Sequence, residues 1–213
     1  MKIKTSSGIV DRRAKQQWEK ARVAYNYYAG YISGKPVKFN LSIMDLLFLT
    51  NFKGGSATIN EPPATLSPKL KAYTIGLNFI HKKFKTRSLV SLNQSELDYF
   101  CGLANVFIQL ASKKSQPNTH IDGFGESFAS ALLHFHFPEL APILDKRVLN
   151  GAGVPGLLVD KYNNVRNLSG LYGALIYKSH SILKMHHSHG KKWTLARLDQ
   201  DLFCRKLKKP PFK

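Results

Sequence analysis

Ile121-Asp-Gly-Phe-Gly-Glu-Ser-Phe-Ala-Ser130, the apolar run that follows to Phe137, and then Pro142-Ile-Leu-Asp-Lys-Arg-Val148 decide how this chain reads. Gly123 and Gly125 can both take up positive φ and bring backbone N–H groups close to a ligand. The helix they open directs its positive end the same way. That combination is an anion site suited to a phosphate. Asp145 stands 18 residues after Ser127, behind Pro142, in an apolar stretch where an ionised carboxylate is costly unless something requires it. A glycine hairpin at the mouth of one helix is thus joined to a single carboxylate at the mouth of the next. A phosphate grip followed by a placed acid points to chemistry on nucleic acid.

Outward from this stretch the hydrophobic period is helical wherever it is clear. Leu70, Tyr73, Leu77, Ile80 and Phe84 keep three-and-four spacing behind Ser67-Pro68, an N-cap and first-turn pair. Leu97, Phe100, Cys101, Ala104, Ile108 and Ala111 repeat the pattern, as do Val165, Leu168, Tyr172, Ile176 and Leu183. Further helices are expected over residues 10–31, 41–50, 127–135, 146–150 and 194–207, with loops at 34–36, 51–63, 114–118 and 151–155. Strand alternation is nowhere sustained. The expected class is all-α, without repeats or low-complexity segments.

The charge balance names the same partner independently. Against 13 acidic residues the chain carries 32 Lys and Arg, a formal charge of +19 that attracts polyanions. Residues 1–38 hold nine basic and two acidic residues, and residues 178–213 hold ten and two. Most of the field therefore comes from the two ends. A bland alternative is that such Lys-rich ends only keep the protein in solution. At 213 residues and 43% hydrophobic content the chain can bury a sizeable core without metal or disulfide staples. Cys101 and Cys204 lie far apart in different settings and read as reduced thiols, which implies an intracellular protein. No apolar stretch approaches bilayer-spanning length, and no apolar segment of a leader follows Met1.

The hairpin and the stretch after it resemble the helix-hairpin-helix DNA glycosylases. In that family the hairpin runs roughly L-P-G-V-G-x-[KS]-x-A, and a catalytic aspartate lies just under twenty residues later. Pro142-Ile-Leu-Asp-Lys-Arg-Val-Leu149 is similar to the segment that carries that aspartate, so the resemblance makes Asp145 catalytic. Bifunctional relatives have a lysine that forms a Schiff base at the position occupied here by Ser127, whereas the monofunctional adenine-mismatch glycosylases have serine. The resemblance is dense over about thirty residues and departs at Asp122, where the family has proline. It implies two helical lobes with an active-site cleft between them. Residues 41–145 would form the central lobe with the hairpin, and residues 1–40 with 146–213 the second, the two basic ends meeting there.

Given such an enzyme, the base must leave the stack, and a wedge together with phosphate contacts offsets the cost of unstacking. The loop Asn51-Phe-Lys-Gly-Gly-Ser-Ala-Thr58 offers Asn51 or Phe52 as the wedge and Lys53 as a phosphate contact. Equally open is a helix C-cap at Gly54 and Gly55 with Phe52 packed on the core. Gly123, Phe124, Gly125, Lys146 and Arg147 complete the expected DNA contacts. Breaking an N-glycosidic bond builds positive charge on the sugar, which a carboxylate beside C1′ stabilises while it orients or deprotonates water. Asp145 can do this, and it can also be no more than the N-cap of the helix that begins at Lys146. Ser127 cannot form an imine, so the expected product is an abasic site without strand cleavage.

Other groups carry less. His186-His187-Ser-His189 and His134 with His136 are short of the four placed ligands of a zinc site and read as helix-end or phosphate-contact residues. Two cysteines cannot hold the four-cysteine iron–sulfur cluster of the adenine-mismatch relatives. No cofactor is expected beyond a monovalent cation at the hairpin, and no obligatory protein partner. Trp193 to Arg205 looks like a closing helix, with Phe203 either near the base or in the core. The sequence thus predicts a cytoplasmic, nucleoid-associated monofunctional glycosylase on double-stranded DNA, serving base-excision repair or defence against phage DNA with modified bases. A non-catalytic DNA-binding protein is the alternative. An RNA-binding protein fits least, because no aromatic-and-basic strand motif is present.

Overall fold

The computed structural model describes residues 10–54, 59–158, 165 and 167–205. Among these lie eight helices: α1 (Arg12–Gly34), α2 (Ile43–Phe52), α3 (Pro63–Phe84), α4 (Gln94–Gln109), α5 (Glu126–His136), α6 (Lys146–Ala152), α7 (Leu168–Ser188) and α8 (Leu195–Cys204). A 3-10 turn covers Leu89–Ser91, and isolated β-bridges join Val10 with Arg205 and Ile121 with Phe124. The fold is all-α, as the periodicity predicts. Among the described residues no helix is long and apolar enough to cross a membrane.

Side chains mark the helix starts. The Asp11 carboxylate accepts from the amides of Arg13 and Ala14 at the head of α1. Asn93 and Glu96 exchange bonds as a capping box on α4. The start of α3 differs from expectation, for Ser67-Pro68 is not its first turn. The helix begins at Pro63 and carries Pro68 inside it. Pro62 and Pro63 fix φ one turn and more earlier, and Thr65 Oγ1 donates back to the Pro62 carbonyl at 2.8 Å, so Pro68 costs one backbone bond within an established helix. Val165 precedes α7 instead of joining it, and residues 206 and 207 of the expected last helix lie outside the described residues.

Helix α6 packs on α8, α4 on α7, and α1 on both α2 and α8. The α6–α8 approach is close because Gly151 has no side chain, and a Cβ there would come within 2.2 Å of the Leu202 carbonyl oxygen. The first and last described residues of the chain lie side by side. The Asp11 amide donates to the Cys204 carbonyl at 3.0 Å, beside the Val10–Arg205 bridge. Buried apolar residues of all eight helices form one contiguous cluster, so the core itself shows no break at residues 40 or 145.

Candidate functional site

The hairpin between the loop at 120 and α5 is a tight turn. Gly123 adopts φ +83°, and the Phe124 amide donates to the Ile121 carbonyl at 2.9 Å. Only the first of the two glycines uses left-handed space. Gly125 has φ −88° and ψ −175° and serves as N-cap of α5, with nothing within 4 Å of where a Cβ would stand. The Phe124 side chain, expected among the DNA contacts, is 1% exposed and packs edge-on against Tyr73. With its amide also used in the turn, Phe124 belongs to the core instead. One hairpin amide already has an anion: Asp122 N–H donates to the Glu61 carboxylate at 2.7 Å, and Lys69 neutralises the far side of that carboxylate. The first amides of α5 have no acceptor within their own helix, so the α5 end keeps the character of an anion site.

Two serines of α5 tie this helix to the segment that leads into Asp145. Ser127 Oγ donates to the Leu144 carbonyl at 2.8 Å, and the Leu144 amide donates to Ser130 Oγ at 2.9 Å. The segment is gripped from other helices as well, because the Tyr172 hydroxyl donates to the Pro142 carbonyl and the Ile143 amide donates to Asp199 Oδ2. An irregular stretch with its polar backbone atoms bonded in this way is fixed in place. Asp145 follows as the N-cap of α6, its Oδ1 accepting from the Arg147 amide at 2.7 Å. Its Oδ2 faces Lys53 Nζ at 3.8 Å, with the carboxylate half-buried.

Asp145 and Lys53 lie at a pocket of about 600 Å³ whose walls come from α1, the end of α2, Ile143, the start of α6, and Asp199 and Phe203 of α8. Asn51 stands exposed at its rim, where a wedge is expected. Phe52 is half-buried against Phe135 and Tyr25, so it forms wall and not a projecting wedge. Gly54 adopts φ +82° and closes α2, the C-cap alternative, while Gly55 lies outside the described residues. Lys146 is the half-buried first residue of α6. Arg147, expected on DNA, is committed within the protein. It donates to Asp11 Oδ2 at 2.8 Å and to the Phe203 carbonyl at 3.0 Å, and lies over the Phe203 ring. Asp11 is held below the usual carboxylate range by that bond. Phe203 packs against Trp18 and, like it, lines the pocket.

Sequence reasoning passed over α1, which supplies Trp18, Lys20 and an exposed Tyr27, and it passed over Asp199. A clue to Asp199 was present, since an acid at that position interrupts the apolar face of Leu195, Leu198 and Leu202. Asp199 is 1% exposed, and burial, with the charge of Asp145 added, pushes its carboxyl up to about 8. Burial thus favours its protonated, neutral form. His134 Nδ1 lies 3.9 Å from Asp199 Oδ2, but the two form no ion pair. That ring is fully buried and held down to about 4, and its Nδ1–H goes to the Ala141 carbonyl at 2.8 Å.

The histidines at the end of α7 fasten a turn: His186 stacks on Trp193, and His187 bonds the Trp193 carbonyl. Among the described residues no group of three or more His, Cys, Asp or Glu is placed to hold a metal ion. Compared with known proteins, the chain matches no family model, no curated sequence and no solved structure. The site combines a carboxylate on a fixed segment, a lysine beside it, and a pocket of a size that ligand sites commonly have.

Proposed function

We propose that the protein is a monofunctional DNA N-glycosylase that takes a damaged or modified base out of double-stranded DNA and hydrolyses its glycosidic bond. The observation that carries the reading is the Ser127–Leu144 hydrogen bond, which couples the first turn of the hairpin helix to the residue before Asp145. A phosphate held at the α5 end and a sugar at Asp145 would then be kept in fixed relation. The carboxylate stabilises the developing positive charge at C1′ and takes a proton from the attacking water. Lys53, with its Nζ 3.8 Å from Oδ2, stands beside that carboxylate in the same pocket. With serine at position 127 no imine forms, so the sugar–phosphate backbone stays intact. Base-excision repair and attack on modified phage DNA use the same chemistry, and both put the protein in the cytoplasm beside DNA. The resemblance to the helix-hairpin-helix glycosylases supports this reading. The test is to incubate the protein with duplex DNA and count abasic sites before and after alkali. Abasic sites that become breaks only with alkali support it, whereas spontaneous nicks and borohydride trapping exclude monofunctional action.

A second reading, a non-catalytic DNA-binding protein, is favoured by one observation. The bond from the Arg147 amide makes Asp145 a complete N-cap, which accounts for an aspartate there without any reaction. DNA binding without base release would select it.

A further inference from the structure

Asp199 has no task in the reaction just described. It lies in a wall shared by the pocket of Asp145 and an adjoining one of about 430 Å³, together with Trp18 and Phe52. Those two rings offer flat surfaces on which a base can stack. The two oxygens of Asp199 differ. Oδ2 accepts from the Ile143 amide at 3.2 Å, while Oδ1, equally buried, has no hydrogen-bond partner among the described residues. Oδ2 already has a donor, so the proton of the neutral acid belongs on Oδ1. No neighbour within bonding distance takes it, and His134 spends its own N–H on Ala141. A buried donor without an acceptor is costly, and such a group in a pocket wall calls for a partner that a ligand can supply.

We propose that Asp199 is a specificity-determining residue whose neutral carboxyl donates a hydrogen bond from Oδ1 to an acceptor atom, a ring nitrogen or keto oxygen, on the edge of the base held in the pocket. The proposal rests on the glycosylase reading and deepens it. A base that presents N–H or C–H at this point leaves the Asp199 donor unpaired and is rejected, whereas one with an acceptor is retained. Loss of the Asp199 proton turns the donor into a buried anion, so excision falls as pH rises through the range in which it ionises. The titratable and charged groups that line the two pockets with Asp199 or act on its charge are His134 of α5, Lys20, Arg22 and Tyr25 of α1, Lys53 after α2, Tyr172 of α7, Arg197 of its own helix, and Asp145. Of these, neutral His134 and the two tyrosines, whose hydroxyls burial holds above their ordinary range, do not change charge near pH 8.

The experiment uses the full chain and two substitutions. Asp199→Asn keeps a donor and an acceptor in nearly the same shape, and Asp199→Leu keeps the volume without either. Excision is measured on a duplex whose base the wild type removes, and on duplexes in which the acceptor atoms of that base are deleted one at a time by deaza or deoxo substitution. One deletion is expected to slow the wild type and Asp199→Asn by about tenfold or more, and to have no further effect on Asp199→Leu. Asp199→Asn is also expected to lose the high-pH fall in activity, a readout that survives if the leucine variant does not fold. Base release that ignores both the deletions and the variants overturns this proposal alone. Release of no base from any duplex by the wild type overturns the glycosylase reading and this proposal with it.

Discussion

Ser127 Oγ and the Leu144 carbonyl oxygen are 2.8 Å apart, and this bond joins the hairpin helix to the backbone immediately before Asp145. Ser127→Ala leaves that partly buried carbonyl without its partner and is expected to cost about 1 kcal/mol of stability, measured by denaturant unfolding. Because the carboxylate loses its alignment, single-turnover excision is expected to drop about tenfold with DNA affinity kept. Ser127→Thr, which keeps the hydroxyl, is expected to restore most of both.

The hairpin glycines separate folding from binding. Gly123 has φ +83°, so Gly123→Ala is expected to lower stability by about 1 kcal/mol. Gly125 has ordinary φ and free space where a Cβ would stand, so Gly125→Ala is expected to fold with stability within about 0.5 kcal/mol of wild type. If a phosphate approaches the α5 end, the same substitution weakens duplex binding in a fluorescence titration. Unchanged affinity would remove the phosphate from the hairpin.

Gly151 sets the distance between α6 and α8, hence between the elements that carry Asp145 and Asp199. A Cβ there would meet the Leu202 carbonyl oxygen at 2.2 Å, and backbone cannot swing aside as a side chain can. Gly151→Ala is expected to cost about 3 kcal/mol and to lower the melting temperature by several degrees in a thermal scan.

What was legible in the sequence follows the range of the forces involved. Local patterns revealed the helices, because an apolar stripe such as Leu70, Tyr73, Leu77, Ile80 and Phe84 needs no partner to be recognised. The link from the hairpin to Asp145 was legible as spacing, and the structure gives its physical form in Ser127 and Ser130. Helix α3 started early because two consecutive prolines outweighed the Ser67-Pro68 cap pattern. Arg147 and Phe124 were misplaced for one reason: a side chain's partner can lie far along the chain. Arg147 reaches Asp11, 136 residues away, and Phe124 reaches the Tyr73 ring. Asp199 was missed because its neighbours, Ile143 and Asp145, come from another helix's approach and leave no mark on the α8 sequence beyond one acid on an apolar face.

Asp199 also makes stability depend on pH with an unusual sign. Its carboxyl ionises near 3.8 when unfolded and at about 8 when folded, so the folded state holds the extra proton and stability falls as pH rises between these values. His134 and His136, held down to about 4 and about 3 by burial, act oppositely below 6.5, where their contribution is lost as pH falls. Between pH 6.5 and 8 Asp199 acts without them. The wild type is expected to lose about 2 kcal/mol across that window, read as melting temperature against pH, and Asp199→Asn to stay nearly flat.

The catalytic role proposed for Asp145 is tested most directly by comparing wild type and Asp145→Asn under single-turnover conditions, on genomic and phage DNA that carry varied base modifications. Released bases and abasic sites are counted, and duplex affinity is measured in parallel. The amide can keep its cap to the Arg147 amide but cannot stabilise a cationic sugar or take a proton from water. Base release is expected to fall at least about a hundredfold with folding and DNA binding retained. Equal base release by the two proteins would contradict the assignment and leave Asp145 as a helix cap.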